Sequence, residues 1–370
     1  MNLNFVNKLD KTLLFSTISL LLIGLIVILS TSYSSIGVDF VNFNKQLYFA
    51  VFGIIVMIFI SSTDYRALKN YTGIFYLLAC FILLAVLFYG SLVRGTSSWF
   101  NFGIFNIQPS EFVKIVIIIV MAKYLSIEKN QRNDIKKMFV SGIYIALPVL
   151  LIILQPDLGS AMVILVIWFS MLIISGLNKY SIYLIVLSTI IISAFSWSFF
   201  LEDYQKNRII TFVNPQVDLQ GAGYNVNQSI IAIGSGQIWG KGLGHGSQSQ
   251  LNFLPEKHTD FIFAVIAEEL GFIGVLIVIL IFAILFYRIF KIVDEVQDNF
   301  GKLLILGIAI LFAFHILINI GMNMGIMPVT GIPLPFISYG GSSLFTFLIG
   351  IGIIQSVCLK GRSYKLVKDE

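Results

Sequence analysis

Charge is what this sequence has least of. Asp, Glu, Lys and Arg make up 12% of its 370 residues, against about 25% in soluble domains. Apolar residues make up 57% and the mean hydropathy is +0.91, more apolar surface than one soluble core of this size absorbs. Cysteine is nearly absent. Cys80 and Cys358 lie far apart inside apolar blocks, which argues against a disulfide framework and for two packing residues. The three histidines, His245, His258 and His315, have no HExxH or Cys-x-x-Cys context, which argues against a zinc site. A cleavable leader is not evident either. Leu13–Ser30 follows Lys8 and Lys11, is long enough to span and lacks a small-residue cleavage pattern, so it reads as a retained first helix. The net charge of +5 comes from basic residues spread over loops and gives no nucleic-acid signal.

What is there is a series of apolar blocks. Spanning the hydrocarbon core takes about 20 predominantly apolar residues, and the pattern predicts an all-α integral membrane protein. Its bundle of ten helices is expected near residues 13–30, 47–62, 72–89, 109–126, 139–155, 159–176, 180–200, 261–288, 303–327 and 340–358. One helix from 139 to 176 is too long for a bilayer at about 1.5 Å per residue, so Pro156 and Gly159 mark a tight hairpin. The chain, 1–370, reads as a single polytopic membrane domain.

Basic residues set the orientation. Lys123, Lys129, Arg132, Lys136 and Lys137 crowd the loop after the fourth helix, and Lys8, Lys11, Arg66, Lys69, Lys179, Arg288, Lys291, Lys302, Lys360, Arg362, Lys365 and Lys368 fall on that same side. The other side keeps Lys45, Arg94, Lys114, Lys206, Arg208, Lys241 and Lys257. Both termini are therefore expected in the cytoplasm. The 201–260 loop between helices seven and eight is expected outside, with the Gln155–Gly159 hairpin and the start of helix four. That loop is Gly-rich but interleaved with Ile, Trp, Tyr and Phe, a composition for ordered packing rather than for a flexible linker.

Three stretches put ionisable residues where a helix enters the membrane from outside. In Gln108-Pro109-Ser110-Glu111-Phe112-Val113-Lys114, Pro109 suits a first helical position and Glu111 the first turn, with Lys114 three residues on. A capped helix start with its own ion pair explains this as well as a site does, except that Lys114 falls inside the apolar run. Asp157 in Gln155-Pro156-Asp157-Leu158-Gly159 serves as a cap on its own reading. Asp260 directly precedes an apolar helix, so capping again competes. Asp260, Ala264 and Glu268 nonetheless share helical spacing, with a small residue between two acids. Glu111, Lys114, Asp157 and Asp260 fall on one side of the membrane, which capping does not require, so a shared outward cavity is expected. The uncharged Gly331–Ser343 stretch, GIPLPFISYGGSS, is irregular backbone that must be buried or line a cavity.

These stretches resemble the SEDS family (shape, elongation, division and sporulation). The matching segments are QPSEFVK, QPDLGSA, RIITFVNP, GYNVNQSIIAIGSGQIWGKGLGHGSQSQLNFLPEKHTDFIFAVIAEELG and GIPLPFISYGGSS, in family order from helix four to helix ten. FLPEKHTDFIFAVIAEELG is more similar to the RodA branch than to its division paralogue FtsW. The first hundred residues match in hydropathy alone. The resemblance implies ten helices and a peptidoglycan glycosyltransferase of the bacterial cytoplasmic membrane, acting in elongation and cell shape. It implies lipid II as substrate, a disaccharide-pentapeptide on undecaprenyl pyrophosphate. It implies a class B penicillin-binding protein as partner, beside other elongation-complex membrane proteins. Asp260 matches the family's essential external aspartate, and Glu111, Lys114 and Asp157 its cavity residues.

The implied reaction needs a base for the acceptor hydroxyl, for which Asp260 is the candidate, and positive charge for the leaving pyrophosphate. Lys114, Arg208, Lys241 and Lys257 are the external candidates, with Glu268 a further cavity acid. A divalent cation such as Mg or Mn held by Asp260 or Glu111 is compatible with this chemistry, although no spacing marks a metal site. The rival reading is a flippase for the same lipid precursor. Its site is expected near the midplane on paired broken helices, whereas the ionisable cluster here falls at the outer helix ends.

Overall fold

The computed structural model describes residues 8–34, 37–93, 96–103, 105–127, 134–199, 202–214 and 221–368. Arg94, Lys129 and Arg132 of the orientation argument lie outside the described residues. The fold is a helical bundle. Its long helices are α1 (Lys11–Ser32), α2 (Val41–Ser62), α4 (Thr72–Tyr89), α5 (Pro109–Ile127), α6 (Asp134–Ile153), α7 (Leu158–Ile174), α8 (Lys179–Phe199), α12 (Ile262–Glu295), α13 (Asn299–Asn323) and α14 (Gly341–Lys368). The shorter α3 (Tyr65–Asn70), α9 (Asp203–Val213), α10 (Ala222–Ser235) and α11 (Ser247–Gln250) complete it. Among the described residues seven are long and apolar enough to cross a membrane, α1, α2, α4, α6, α12, α13 and α14; α7 and the Lys179–Ile190 part of α8 are shorter apolar helices. Helix α5 carries Glu111, Lys114 and Lys123.

Two small antiparallel sheets, absent from the sequence-based expectation, decorate the connections. One pairs β1 (Tyr33–Ser34) with β2 (Gly37–Val38); the other orders β3 (Ser91–Val93), β4 (Thr96–Asn101) and β5 (Asn106–Ile107). In the second, Phe100 pairs with Ile107 and Asn101 with Asn106.

Packing is inside-out in the sense a lipid solvent demands. Helix α14 is buried along most of its length up to Gly361, and Leu348, Ile351, Ile354 and Val357 on it are fully buried. The peripheral helices turn large apolar side chains outward, among them Phe52, Phe59, Leu77, Phe81 and Phe88, which is stable only against hydrocarbon. At one end of the bundle Asp10 caps α1, pairs with Arg288 at 2.6 Å and exchanges hydrogen bonds with Gln355. Helices α2, α5, α7, α12 and α14 all begin at the opposite end.

Helix α12 is broken at Gly271, where φ is 67° and ψ −165°. Such a break strands carbonyls that a membrane cannot satisfy, and the long loop satisfies them. The Lys241 and Gly242 N–H groups donate to the carbonyls of Glu268 (3.0 Å) and Glu269 (2.9 Å), while the Phe272 and Ile273 N–H groups donate to Gln237 and Ile238. This close approach fixes glycine at 240: φ there is +78°, and a Cβ would stand 2.2 Å from the Glu269 carbonyl oxygen. The 236–250 part of the Gly-rich loop is thus a lid over the helix break, tied in by its backbone at 236–242.

Candidate functional site

A cavity of about 240 Å³ opens at the end where these helices start. Glu111, Lys114, Asp157 and Asp260 all line it, together with Lys45, Trp99, Gln108, Ser160, Thr330 and the stretches 331–333 and 339–343. The four residues expected to share a cavity therefore do so.

Each is held by the start of a helix. Glu111 and Lys114 sit one turn apart on α5, with Nζ 2.6 Å from Oε1 and the two side chains 1% and 5% exposed for Lys114 and Glu111. Glu111 Oε2 is buried with no partner among the described residues. Lys114 Nζ also lies 3.3 Å from His315 Nε2. Asp157 is the N-cap of α7: Oδ1 accepts from the Ser160 N–H at 3.0 Å. Its Oδ2 accepts from Gln108 Nε2 at 2.9 Å and Ser110 Oγ at 3.3 Å. Capping and cavity lining thus coexist there, and Asp157 ties the start of α7 to the start of α5.

Asp260 precedes α12, whose N-cap is Phe261 without a side-chain cap bond. Its backbone is clamped from α13: Asn319 Nδ2 and Asn323 Nδ2 donate to the Asp260 carbonyl at 3.0 and 2.9 Å. Asn319 Nδ2 also reaches the Ile332 carbonyl at 2.8 Å. Further bonds stitch the Gly331–Ser343 stretch to the same strand of backbone. The Tyr339 N–H donates to the His258 carbonyl at 2.8 Å and Ser338 Oγ to that of Thr259 at 2.7 Å. Gln46 on α2 donates to the Ser338 carbonyl and accepts from the Gly340 N–H. The irregular segment is a fixed wall, as backbone at this depth has to be.

The remaining expected site residues lie elsewhere. Because α12 begins at Ile262, Asp260 is outside the helical period that relates it to Ala264 and Glu268. Ala264 is fully buried with its N–H on Asn323 Oδ1. Glu268 turns to the lid, accepting from Lys241 Nζ (2.9 Å), the Gln248 N–H (2.9 Å) and the Ser249 N–H (3.1 Å). Its neighbour Glu269 accepts from Ser30 Oγ and Gln250 Nε2. The two acids anchor the lid rather than line the cavity, and Lys241 is the partner of Glu268 rather than a cavity cation. Lys257 is buried and donates to the Ser249 carbonyl and Asn252 Oδ1; burial lowers its pKa. Burial, and then the Lys257 charge, push His258 down to about 4 against the pull of Asp39. Arg208 lines a separate small cleft with Phe212, Val226 and Met327.

Among the outside cations to which the sequence gives no task, Lys45 is half-buried on the cavity wall. His315 enters the sequence reading only as lacking a zinc motif, and Asn319 and Asn323 do not enter it. Their signal is present in the sequence: three polar residues four apart in an apolar run share one face of a helix. No group of three or more His, Cys, Asp or Glu side chains is placed to hold a metal ion among the described residues. Mg is usually held by one or two carboxylates together with substrate phosphates and water, so a divalent cation would draw on Asp260 or Glu111 without such a group.

Comparison with known proteins agrees with this architecture. Residues 11–362 match the family FtsW/RodA/SpoVE, described as cell cycle protein. The peptidoglycan glycosyltransferase MrdB of Escherichia coli strain K12 is 36% identical over 352 residues, covering 94% of this chain and 93% of the relative. Stage V sporulation protein E of Bacillus subtilis strain 168 is 38% identical over 355 residues, covering 94% and 96%. A chain solved in work on the structural coordination of polymerization and crosslinking by a peptidoglycan synthase complex superposes with a TM-score of 0.79 at 26% identity, covering 95% of this chain and 97% of that one. The apolar helices, the cavity at their common end and the match along nearly the whole chain make this a membrane protein that belongs to the FtsW/RodA/SpoVE family.

Proposed function

We propose that this chain is a peptidoglycan glycosyltransferase that polymerises lipid II into glycan strands on the outer face of a bacterial cytoplasmic membrane, in cell elongation and shape maintenance. The observation that carries the reading is the convergence of Asp260, Asp157, Glu111, Lys114 and Lys45 on one cavity at a common helix end. Counted with α5, α7 and α8, the long helices amount to ten spans, with both termini cytoplasmic and the 201–260 loop outside. Residues 1–370 make up a single polytopic membrane domain. The elongation assignment rests on the FLPEKHTDFIFAVIAEELG stretch.

The chemistry follows from the charges. The acceptor sugar's 4-hydroxyl attacks the donor's anomeric carbon; a C–O bond forms as the bond to the pyrophosphate oxygen breaks, and undecaprenyl pyrophosphate departs. Asp260 accepts the hydroxyl proton as general base. An ordinary aspartate is ionised at neutral pH, and Asn319 and Asn323 hold its backbone in place. Charge grows on the leaving pyrophosphate, so cations that meet it there stabilise the transition state more than the ground state. Lys114 and Lys45 are the lysines on the cavity wall among the described residues; they replace Arg208, Lys241 and Lys257 in this role. Asp157 and Gln108 keep the α5 and α7 helix starts together beneath the sugars. A class B penicillin-binding protein that crosslinks the strands is the expected partner, with other elongation-complex membrane proteins around the pair.

The test is direct. Purified protein in proteoliposomes, with and without such a partner, is given lipid II, and strands are resolved by gel. Strands are expected, and Lys45→Gln should lower kcat/KM by about tenfold, the worth of roughly one charged hydrogen bond. Lipid II crossing the bilayer with no strands formed would instead make the chain a transporter.

A further inference from the structure

His315 is a buried titratable group to which the reaction above gives no task. It lies fully buried on α13, edge-on to Phe347 with ring centroids 5.0 Å apart. Both ring nitrogens have partners of known character. Nε2 is 3.3 Å from Lys114 Nζ, and Nδ1 is 3.1 Å from the Pro333 carbonyl oxygen. An ammonium only donates and a carbonyl only accepts. Nε2 must therefore hold the lone pair and Nδ1 the proton, so the surroundings select one neutral tautomer. An imidazolium would turn an N–H onto an ammonium.

Lys114 Nζ has three hydrogens. Glu111 Oε1 takes one at 2.6 Å and His315 Nε2 a second. Tetrahedral geometry then fixes the direction of the third, on a side chain that is almost wholly buried yet part of the cavity wall. Through Nδ1 the same ring is tied to Pro333, in the irregular wall of that cavity.

We propose that His315 is a positioning residue: as a neutral acceptor it orients the Lys114 ammonium so that its remaining N–H meets an anionic oxygen of the substrate's diphosphate. The assignment rests on the reading of the cavity as the polymerising site. An apolar residue of similar volume would fill the same space and leave the ammonium free to rotate, so packing and positioning are separable.

Two measurements test it. In the protein labelled with nitrogen-15 at histidine, the His315 signals, identified by their loss in His315→Gln, should show a protonated Nδ1 and a bare Nε2. A protonated Nε2, or an imidazolium, would overturn the proposal. The tautomer is read on the unaltered chain and needs no activity. In the strand assay His315→Leu is expected to lower kcat by about 10- to 100-fold, the scale on which small misplacements act. KM should stay within about threefold, because the diphosphate gains a further negative charge as the bond breaks. His315→Gln, whose Oε1 falls near the position of Nε2, should recover most of that loss. On a Lys114→Ala background, His315→Leu should cost nothing more. Wild-type kcat in His315→Leu, or equal losses in both backgrounds, would remove the positioning role. Failure of the unaltered protein to make strands, with the tautomer as stated, would instead sink the polymerase reading and leave the geometry of His315 intact.

Discussion

Asp260→Asn is expected to accumulate in the membrane, unfold at nearly the wild-type temperature and make almost no glycan from lipid II. The carboxylate is not the cap of α12, since Phe261 occupies that position without a side-chain cap bond. The backbone carbonyl of residue 260 is gripped by Asn319 and Asn323, and the substitution leaves that grip untouched. Asn is close in shape but its amide cannot take a proton. Loss of a general base costs roughly 10²–10⁴-fold, and the fall should appear in kcat. Thermal unfolding and strand synthesis measured on the same preparation separate the two roles. Near-normal strand synthesis by this variant would return Asp260 to a purely architectural part.

The second large effect belongs to the Glu111–Lys114 pair. The two charges are 2.6 Å apart with side chains 5% and 1% exposed. Removing one partner of such a pair leaves an uncompensated buried charge, at a cost of about 3–5 kcal/mol. Glu111→Ala and Lys114→Ala should therefore each depress both stability and polymerisation strongly. The double variant should lose less than the sum, with a coupling of about 0.5–3 kcal/mol. Additive losses, measured by thermal unfolding and by strand yield, would mean that the two side chains work separately.

Much of this site is legible in the sequence. Glu111, Lys114, Asp157 and Asp260 each sit where an apolar run begins, and basic-residue asymmetry put those beginnings on one side; convergence of the helix starts then does the rest. The hairpin at Pro156 and the walling role of Gly331–Ser343 were readable for a similar reason, since irregular backbone has few places to go in a bilayer. The errors share a different cause. Glu268, Lys241 and Lys257 were assigned to the cavity by their neighbourhood in sequence, but their direction is set by the break at Gly271 and by the lid that fills it. That arrangement depends on backbone contacts between 236–242 and 267–273, which no local pattern announces. Arg208 was carried along by charge alone. The face made by His315, Asn319 and Asn323 was available from spacing, and was passed over because each residue is uncharged or ambiguous when taken singly.

Accessibility of the cavity itself tests the central claim most directly. Asn106 is exposed and lies on the cavity rim. In a chain whose Cys80 and Cys358 have been replaced, Asn106→Cys should react with a membrane-impermeant maleimide applied outside intact cells. In purified protein, lipid II should slow that reaction. Labelling only from the cytoplasmic face, or a rate indifferent to lipid II, would contradict an outward-facing cavity that binds the lipid-linked sugar.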